Sequence, residues 1–179
     1  MLLNICCAIC SLPIVDHLLK AGQKPALYFY SPNIFPKEEY LRRLEAARKV
    51  ASVYALQLAE GEYDHDAWLE FVKAKLPLPP GQYAENGERC RACFQYRVEK
   101  TAAFAKAGGF GSFATTLSLS RFKDTAFINN YGAELAGKND LTYATFPLEA
   151  GEAHRVGLEL SRRHGIYRQK YCGCEFSAP

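Results

Sequence analysis

Short apolar runs alternate along this chain with longer segments in which apolar residues return at helical spacing. A continuous apolar run is typical of a strand buried on both faces, and a period of about 3.6 residues is typical of a helix that packs one side on a core. The runs that predict strands are residues 2–6, 25–30, 56–60, 113–119 and 143–146. The segments that predict helices are residues 11–21, 37–54, 64–75, 90–107, 122–135 and 152–164.

Capping residues fix the ends of the first helix. Ser11 is a suitable N-cap, Pro13 is tolerated in a first helical turn, and Gly22 ends the helix. In the second helical segment the apolar side is formed by Leu41, Leu44, Ala47, Ala51 and Tyr54. The neighbouring Arg42 and Arg43 are expected on the exposed face, as are Arg162 and Arg163 in the last helix.

Strands that alternate with helices predict βαβ units, and therefore a Rossmann-like α/β fold with a mostly parallel sheet flanked by helices. With 179 residues, the chain is expected to form a single domain over 1–179. The Pro/Gly-rich stretch 76–89 is expected to be an irregular insertion, and 165–179 a metal-binding tail. Ligands of open parallel sheets bind beyond the carboxyl ends of the strands, so Cys6, Cys7, the loops 31–36 and 118–120 and the turn at 63–64 should face one crevice.

Composition and charge are ordinary and mainly indicate the compartment. Apolar residues make up 49% of the chain and charged residues 23%, and the formal net charge of +3 is too small to identify a nucleic-acid-binding protein. The sequence shows neither the pattern of a signal peptide nor an apolar stretch of the roughly 20 residues that a membrane span needs. We therefore expect a cytoplasmic protein with no membrane partner. In that compartment cysteine pairs indicate metal or redox chemistry.

All seven cysteines occur in three tight groups, near the start, the middle and the end of the chain: Cys6, Cys7 and Cys10, then Cys90 and Cys93, then Cys172 and Cys174. Several thiolates must converge to bind a soft metal ion or an iron–sulfur cluster, so a multi-thiolate centre is the leading interpretation. A structural zinc site and ordinary burial of small apolar side chains are the alternatives.

The three groups differ in their local geometry. Cys90 and Cys93 at a helix start place two sulfurs on one face, where the helix N-terminus favours thiolates. The adjacent Cys6 and Cys7 could reach different irons of one cluster from a tight turn. Cys172 and Cys174 are separated by one glycine, so they could form a strained, easily reduced disulfide or bind a further ion, and the sequence leaves both open.

Five sequence blocks together resemble one known family. They are Asn-Ile-Cys-Cys-Ala-Ile-Cys at 4–10, Tyr-Ser-Pro-Asn-Ile-Phe-Pro at 30–36, Glu-Arg-Cys-Arg-Ala-Cys-Phe-Gln-Tyr-Arg at 88–97, Thr-Thr-Leu-Ser-Leu-Ser at 115–120 and Gly-Ile-Tyr-Arg-Gln-Lys-Tyr-Cys-Gly-Cys at 165–174. With these blocks in this order, the chain resembles the epoxyqueuosine reductase QueH family over nearly its whole length. Ile9 stands where the family commonly has proline.

The resemblance implies an oxidoreductase of queuosine biosynthesis. It would reduce an epoxide on the modified wobble nucleoside of a tRNA to an alkene, using two electrons and two protons. The resemblance further implies a fold like that of the adenine-nucleotide hydrolases. It also implies a [4Fe-4S] cluster held by Cys6, Cys7, Cys90 and Cys93. The C-terminal pair, Cys172 and Cys174, would serve either as redox-active thiols or, with Cys10, as ligands of an additional iron ion.

Candidates for the remaining roles are less specific. Asp64 is one candidate proton donor for the departing oxygen, beside Tyr30, Asp16 and His17, and capping of the next helix is its alternative role. Single-stranded RNA is held by basic contacts to phosphates and by aromatic stacking. The residues expected to contact the tRNA are Tyr30, Asn33, Arg97, Arg121, Arg168 and Lys170, and Lys123 is a further basic candidate.

Two other functions fit parts of the pattern. A zinc-stabilised RNA-binding module would use the thiolates without catalysis. A thiol–disulfide oxidoreductase would use Cys172 and Cys174 on a protein partner. The implied reductase also needs an electron donor, which the sequence does not identify.

Overall fold

A computed structural model describes residues 1–177 of the chain. Its centre is one sheet in which the strands are ordered β3-β2-β1-β4-β5 and every neighbouring pair is parallel. The strands are β1 (Leu2–Ile5), β2 (Ala26–Phe29), β3 (Leu58–Glu60), β4 (Ser112–Thr115) and β5 (Thr142–Tyr143). The predicted α/β fold with a parallel sheet is confirmed.

Helices connect successive strands and cover both faces of the sheet. They are α1 (Ala8–Lys20), α2 (Lys37–Val53), α3 (His65–Ala74), α4 (Glu88–Ala107), α5 (Thr125–Lys138) and α6 (Ala150–Arg163). Because successive side chains of a strand point to opposite faces, β1 serves two cores. Leu3 and Ile5 pack with α1, α2 and α6, whereas Leu2 packs with α3, α4 and α5. None of the helices in the described range is both long and apolar enough to cross a lipid bilayer.

The first helix begins earlier than the sequence predicts. It starts at Ala8, with Cys7 as its extended N-cap, and the hydroxyl of Ser11 donates to the carbonyl of Ala8 inside the first turn. Pro13 therefore lies within the helix and cannot donate to the carbonyl of Ile9. Helix α6 packs over this carbonyl through Gly157, where a Cβ atom would lie 2.3 Å from the Ile9 oxygen. Close packing of α6 over the Ile9 carbonyl thus accommodates the proline inside α1.

The predicted strand 113–119 extends too far, because β4 ends at Thr115. After β4 the hydroxyl of Thr115 accepts a hydrogen bond from the amide of Leu117, and residues 116–119 turn into a short 3-10 helix. The fifth strand ends at Tyr143, and α5 begins at Thr125 because the carboxylate of Asp124 caps it through the amide of Phe127.

Two expectations for α2 are wrong. Leu41 is 51% exposed, although helical spacing predicts it on the apolar side, and Arg43 is only 2% exposed, although it is expected at the surface. The guanidinium of Arg43 is buried because Glu39, one turn earlier, pairs with it at 2.7 Å. Helical spacing alone could not identify this pair as internal, since arginine and glutamate are rarely fully buried.

Candidate metal centre

A cavity of about 680 Å³ lies beyond the carboxyl ends of β1 and β4. The strand order reverses between these two strands, which is the usual place for a ligand in an open α/β sheet. The lining includes sulfur-bearing residues from the beginning, the middle and the end of the chain: Cys6, Cys7, Cys10, Cys90 and Cys172. The fold therefore brings all three cysteine groups to one place.

The first group forms the tightest cluster. The sulfur atoms of Cys6, Cys7 and Cys10 all lie within 4.8 Å of one another, and those of Cys6 and Cys7 are 3.8 Å apart. Cys7 caps α1 and Cys10 lies in its first turn, so the early start of this helix is what places the two side chains together. Three converging soft donors can bind a metal ion.

The position of Cys6 is fixed from the neighbouring strand. Its backbone amide donates to the hydroxyl of Thr116 at 3.3 Å, just beyond the end of β4. The hydroxyl of Thr115 donates to the side-chain oxygen of Asn4 at 3.0 Å. The side-chain amide of Asn4 donates in turn to the carbonyls of Tyr28 and Tyr30. Buried hydrogen bonds of this kind hold the three strand ends in register below the cysteines.

Helix α4 brings Cys90 to the lining of the cavity, whereas Cys93 lies outside this lining. Cys90 lies in the first turn and Cys93 one turn later, and both are buried. The amide of Asn86 donates to the Cys90 sulfur at 3.2 Å, from a left-handed conformation with φ of +64°. The Asn86 side chain in turn accepts from the backbone amide of Asp124. The irregular stretch 76–89 thus supplies a direct contact to one of the cysteines.

Cys172 reaches the lining of the cavity because the tail is bound to α2, whereas Cys174 lies outside this lining. Arg43 donates to the carbonyls of Cys172 and Tyr171 at 2.8 and 3.1 Å. Gly173 has a φ of +122°, and a side chain there would meet the Arg43 guanidinium at 2.9 Å. Cys172 and Cys174 are free thiols. The structure therefore positions the pair beside the other cysteines without an internal bridge.

Positive charge favours the thiolate form of two of these cysteines, Cys6 and Cys172, whereas the pKa values of the other five are raised. A hydrogen bond from Cys10, then one from Cys7, and the charges of Arg97 and Lys123 hold the pKa of Cys6 well below its ordinary value, despite burial. A hydrogen bond from Cys174 and the same two charges lower the pKa of Cys172 to about 6. Thiolates are the metal-binding and nucleophilic form of cysteine.

Two buried N–H groups at the centre have no acceptor. Within residues 1–177, neither the indole nitrogen of Trp68 nor the Nε of Arg97 has a hydrogen-bond partner. Both act on the pKa of the Cys93 thiol, which burial raises to about 11 overall. Buried donors without acceptors are rare in native proteins and indicate that an ion or ligand binds nearby. Bound anionic sulfur would satisfy both donors, so the residues present fit a thiolate-ligated metal cluster.

Asp64 and Tyr30 lie outside the lining of the cavity, and so do the loop 31–36 and the turn at 63–64, although the sequence predicts that this loop and this turn face it. The carboxylate of Asp64 accepts from the hydroxyls of Tyr30, at 2.9 Å, and Tyr96, at 2.8 Å, and Lys100 lies 3.9 Å away. Tyr30 is buried between the rings of Tyr28 and Tyr96. The role of Asp64 in proton transfer stays a prediction. In this structure its carboxylate oxygens accept hydrogen bonds from two tyrosines.

The expected tRNA-contacting residues divide into two sets. Arg121 and Lys170 are exposed and line the cavity, whereas Arg168 is exposed but does not line it. Asn33 and Arg97 are 1% and 2% exposed, so both lie inside the protein. Arg97 donates to the hydroxyl of Ser31 at 3.1 Å and forms no ion pair with a carboxylate in residues 1–177.

Sequence reasoning missed two aromatic residues at the centre. Phe122 is 64% exposed, lines the cavity and carries the guanidinium of Arg121 at 4.7 Å from its ring centre. Trp68 is buried against the second core together with Cys93. The sequence shows Phe122 between two basic residues, as Arg-Phe-Lys at 121–123. It does not show that the ring is exposed, because this depends on the turn after β4.

Known proteins resemble the chain along its whole length. A family model described as "Epoxyqueuosine reductase QueH" matches residues 1–179. A protein of that name from Histophilus somni is 35% identical over 178 residues, which are 99% of this chain and 71% of the relative. The protein of that name from Haemophilus influenzae gives the same identity and coverage, and the one from Thermotoga maritima is 36% identical over 98% of this chain and 88% of its own length.

Proposed function

Since the chain belongs to the epoxyqueuosine reductase QueH family and is an oxidoreductase that reduces epoxyqueuosine to queuosine, we propose that the cysteine cavity is where this reduction takes place. The observation that supports this location is the convergence of sulfur atoms from three distant segments in one cavity at the carboxyl edge of the sheet. A substrate-sized opening and a soft-metal donor set coincide there.

We propose that Cys6, Cys7, Cys90 and Cys93 hold a [4Fe-4S] cluster. Four thiolates are the usual ligand set of such a cluster, and the unpaired N–H groups of Trp68 and Arg97 would meet its sulfur atoms. When bound, the cluster would supply electrons for the reduction. Cys10, Cys172 and Cys174 remain for an additional iron ion or, in the case of the last two, for a redox-active thiol pair.

The chemistry requires the loss of one oxygen. Two electrons and two protons convert the epoxide to an alkene and water, so an external electron donor is needed. Negative charge develops on the oxygen as the C–O bonds break, and a fixed cation at that place lowers the barrier. Lys123 lines the cavity, and its Nζ donates to the Ser120 hydroxyl at 3.4 Å. Burial lowers its pKa, but the thiolates of Cys172 and Cys6 outweigh burial and raise it, so the ammonium stays charged.

The rim of the cavity is suited to an RNA loop. Phe122 offers an exposed ring on which a base next to the modified nucleoside could stack, and Arg121 and Lys170 offer charges for phosphates. We propose that the wobble nucleoside of the tRNA enters the cavity while its neighbours stay on this rim. A tRNA substrate would place the activity in the cytoplasm.

The test is an anaerobic purification followed by two measurements on one sample. Iron, zinc and acid-labile sulfide are counted, and the protein is then given a reductant and tRNA that carries epoxyqueuosine. We expect iron, sulfide and formation of queuosine. A colourless zinc protein that binds tRNA without reducing it would favour the RNA-binding module, and a metal-free protein with a titratable disulfide would favour the thiol–disulfide oxidoreductase.

A further inference from the structure

Arg97 is a buried cation that lacks the usual counter-ion. It lies on α4 one turn after Cys93, and 2% of the residue is exposed. Its hydrogen-bond partner is the neutral hydroxyl of Ser31, and Nε has none within the described residues. No carboxylate in residues 1–177 forms an ion pair with it, whereas the equally buried Arg43 is 2.7 Å from Glu39.

A buried charge without a partner is costly, because removing an ion from water costs several kcal/mol. Arg89 is also buried without a carboxylate partner, but it donates to two backbone carbonyls and lies over the ring of Phe176. Arg97 has only the Ser31 hydroxyl, which indicates that an anion is present beside it in the functional protein. The ionisable groups that act on Arg97 are cysteines: burial lowers its pKa, but the thiolate forms of Cys93, Cys6 and Cys172 reverse the shift and raise it. These thiols come from all three cysteine groups. The guanidinium is thus placed at the point where the three segments meet.

The indole of Trp68 supports the same conclusion from another element. It is 1% exposed and belongs to α3. Its N–H is directed at the Cys93 thiol, whose pKa it lowers as a donor, but it has no partner at hydrogen-bond distance within the described residues. Two donors from different helices thus face the same sulfur-rich region without acceptors. Hydrogen bonds to cluster sulfur and nearby charge are among the factors that set the potential of an iron–sulfur cluster.

We propose that Arg97, with the Trp68 N–H, is the positioning residue that raises the reduction potential of the cluster. This rests on the proposed function. Reduction adds one electron, and hence one negative charge, to the site, and a fixed guanidinium stabilises the added charge. The electron comes from a low-potential one-electron donor. Arg97 thereby makes the cluster easier to reduce, and it does so as a permanent charge, because a guanidinium does not titrate in proteins.

The experiment is a potentiometric titration of the anaerobically loaded protein with dithionite as reductant, in which the paramagnetic reduced cluster is followed by EPR. The variants are Arg97→Gln, which removes the charge, Arg97→Lys, which keeps it, and Trp68→Phe, which removes the indole N–H. The control is Arg155→Gln on the exposed side of α6, where Arg155 pairs with Glu152. Iron and sulfide are counted in every sample.

For Arg97→Gln we expect at least a tenfold fall in the ratio of reduced to oxidised cluster at a fixed poise, which is a shift of about −59 mV for one electron. Trp68→Phe should shift in the same direction by less, Arg97→Lys should stay near the wild type, and Arg155→Gln should not shift. A loaded Arg97→Gln protein with the wild-type potential would overturn the inference.

If Arg97→Gln does not assemble the cluster, Trp68→Phe decides: a negative shift supports the inference and an unchanged potential overturns it. A wild-type protein that contains no iron or sulfide would overturn the proposed cluster itself, and with it this inference. The metal count therefore distinguishes the two failures.

Discussion

Arg43 and Arg97 are equally buried but belong to regions that are built in opposite ways. Around Arg43, every partner is supplied by the chain: Glu39 balances the charge, and the carbonyls of Tyr171 and Cys172 accept the remaining hydrogen bonds. Around Arg97, the chain supplies one neutral hydroxyl and several thiols. A completed network stabilises a fold, whereas an incomplete one of the same burial indicates a group that the chain does not itself contain.

Substitutions in the two regions should therefore change different measured properties. Substitutions in the completed region should lower the free energy of unfolding. They should affect the reductase activity only by moving the tail that carries Cys172 and Cys174. Changes in the open region should alter metal content, reduction potential or tRNA binding while the fold persists. Variants in each region test whether the two sets of measured properties change independently.

The largest effect is expected in the open region, for Cys90→Ser. Loss of one proposed ligand should remove cluster iron and lower the reductase rate by at least about a thousandfold, or ~4 kcal/mol in activation free energy. Cys174→Ser is the comparison, since it should retain four irons and four sulfides per chain while losing turnover. Iron, sulfide and queuosine are measured together. Full activity of Cys90→Ser without iron would reject the role assigned to the cluster.

Next in size is Arg43→Met, in the completed region. It leaves the Glu39 carboxylate buried without its partner and releases the tail, so the free energy of unfolding should fall by about 3 kcal/mol. Arg42→Met on the exposed face of the same helix is the matched control and should change it by less than about 0.5 kcal/mol. Denaturant unfolding gives both values. Equal effects of the two variants would contradict the structural role of Arg43.

Gly157→Ala tests the close packing of α6 on α1 that accommodates Pro13 inside the helix. An added methyl group would lie 2.3 Å from the Ile9 oxygen, so we expect a loss of about 2 kcal/mol of stability from overpacking. Gly137→Ala in α5 is the matched control, because a Cβ atom there would meet nothing within 4 Å and alanine is the better helix former by about 0.5–1 kcal/mol. The two thermal unfolding midpoints should move in opposite directions. A stabilised Gly157→Ala protein would show that α1 and α6 do not pack this closely.

The smallest effect is expected at the rim. Phe122→Ala should weaken tRNA binding by about 1 kcal/mol through loss of stacking and leave iron content and stability unchanged. Leu41→Ala removes a similarly exposed apolar side chain on α2 and should not change tRNA affinity. Affinity is measured at a fixed salt concentration, because phosphate contacts make it strongly salt-dependent. Unchanged binding of Phe122→Ala would exclude this ring from the RNA interface.

The sequence predicted the parallel α/β fold well, because apolar runs and helical periodicity are local properties. Its errors occurred at small and polar residues whose contacts the hydrophobic pattern does not show. Gly157 accommodates Pro13 inside α1, Glu39 and the tail bury Arg43, and a threonine hydroxyl turns the chain at the end of β4. Each of these partners is polar or small, and such residues usually lie on the surface or in loops.

The site was partly predictable for a related reason. Grouped cysteines are rare enough to stand out, so the sulfur-bearing segments could be named before their meeting place was known. Arg97 and Trp68 are common core or surface residues in isolation. Only their burial without acceptors, which requires the folded structure, indicates that they face the metal centre.

The most direct test of the account follows the reductase activity as iron is removed and restored. The protein is stripped of metal anaerobically, and samples are reloaded with iron and sulfide or with zinc before epoxyqueuosine-containing tRNA and a reductant are added. We predict that queuosine formation is lost with the iron, returns in proportion to the iron and sulfide restored, and stays absent with zinc. A stripped or zinc-loaded protein that forms queuosine at the original rate would contradict the central claim.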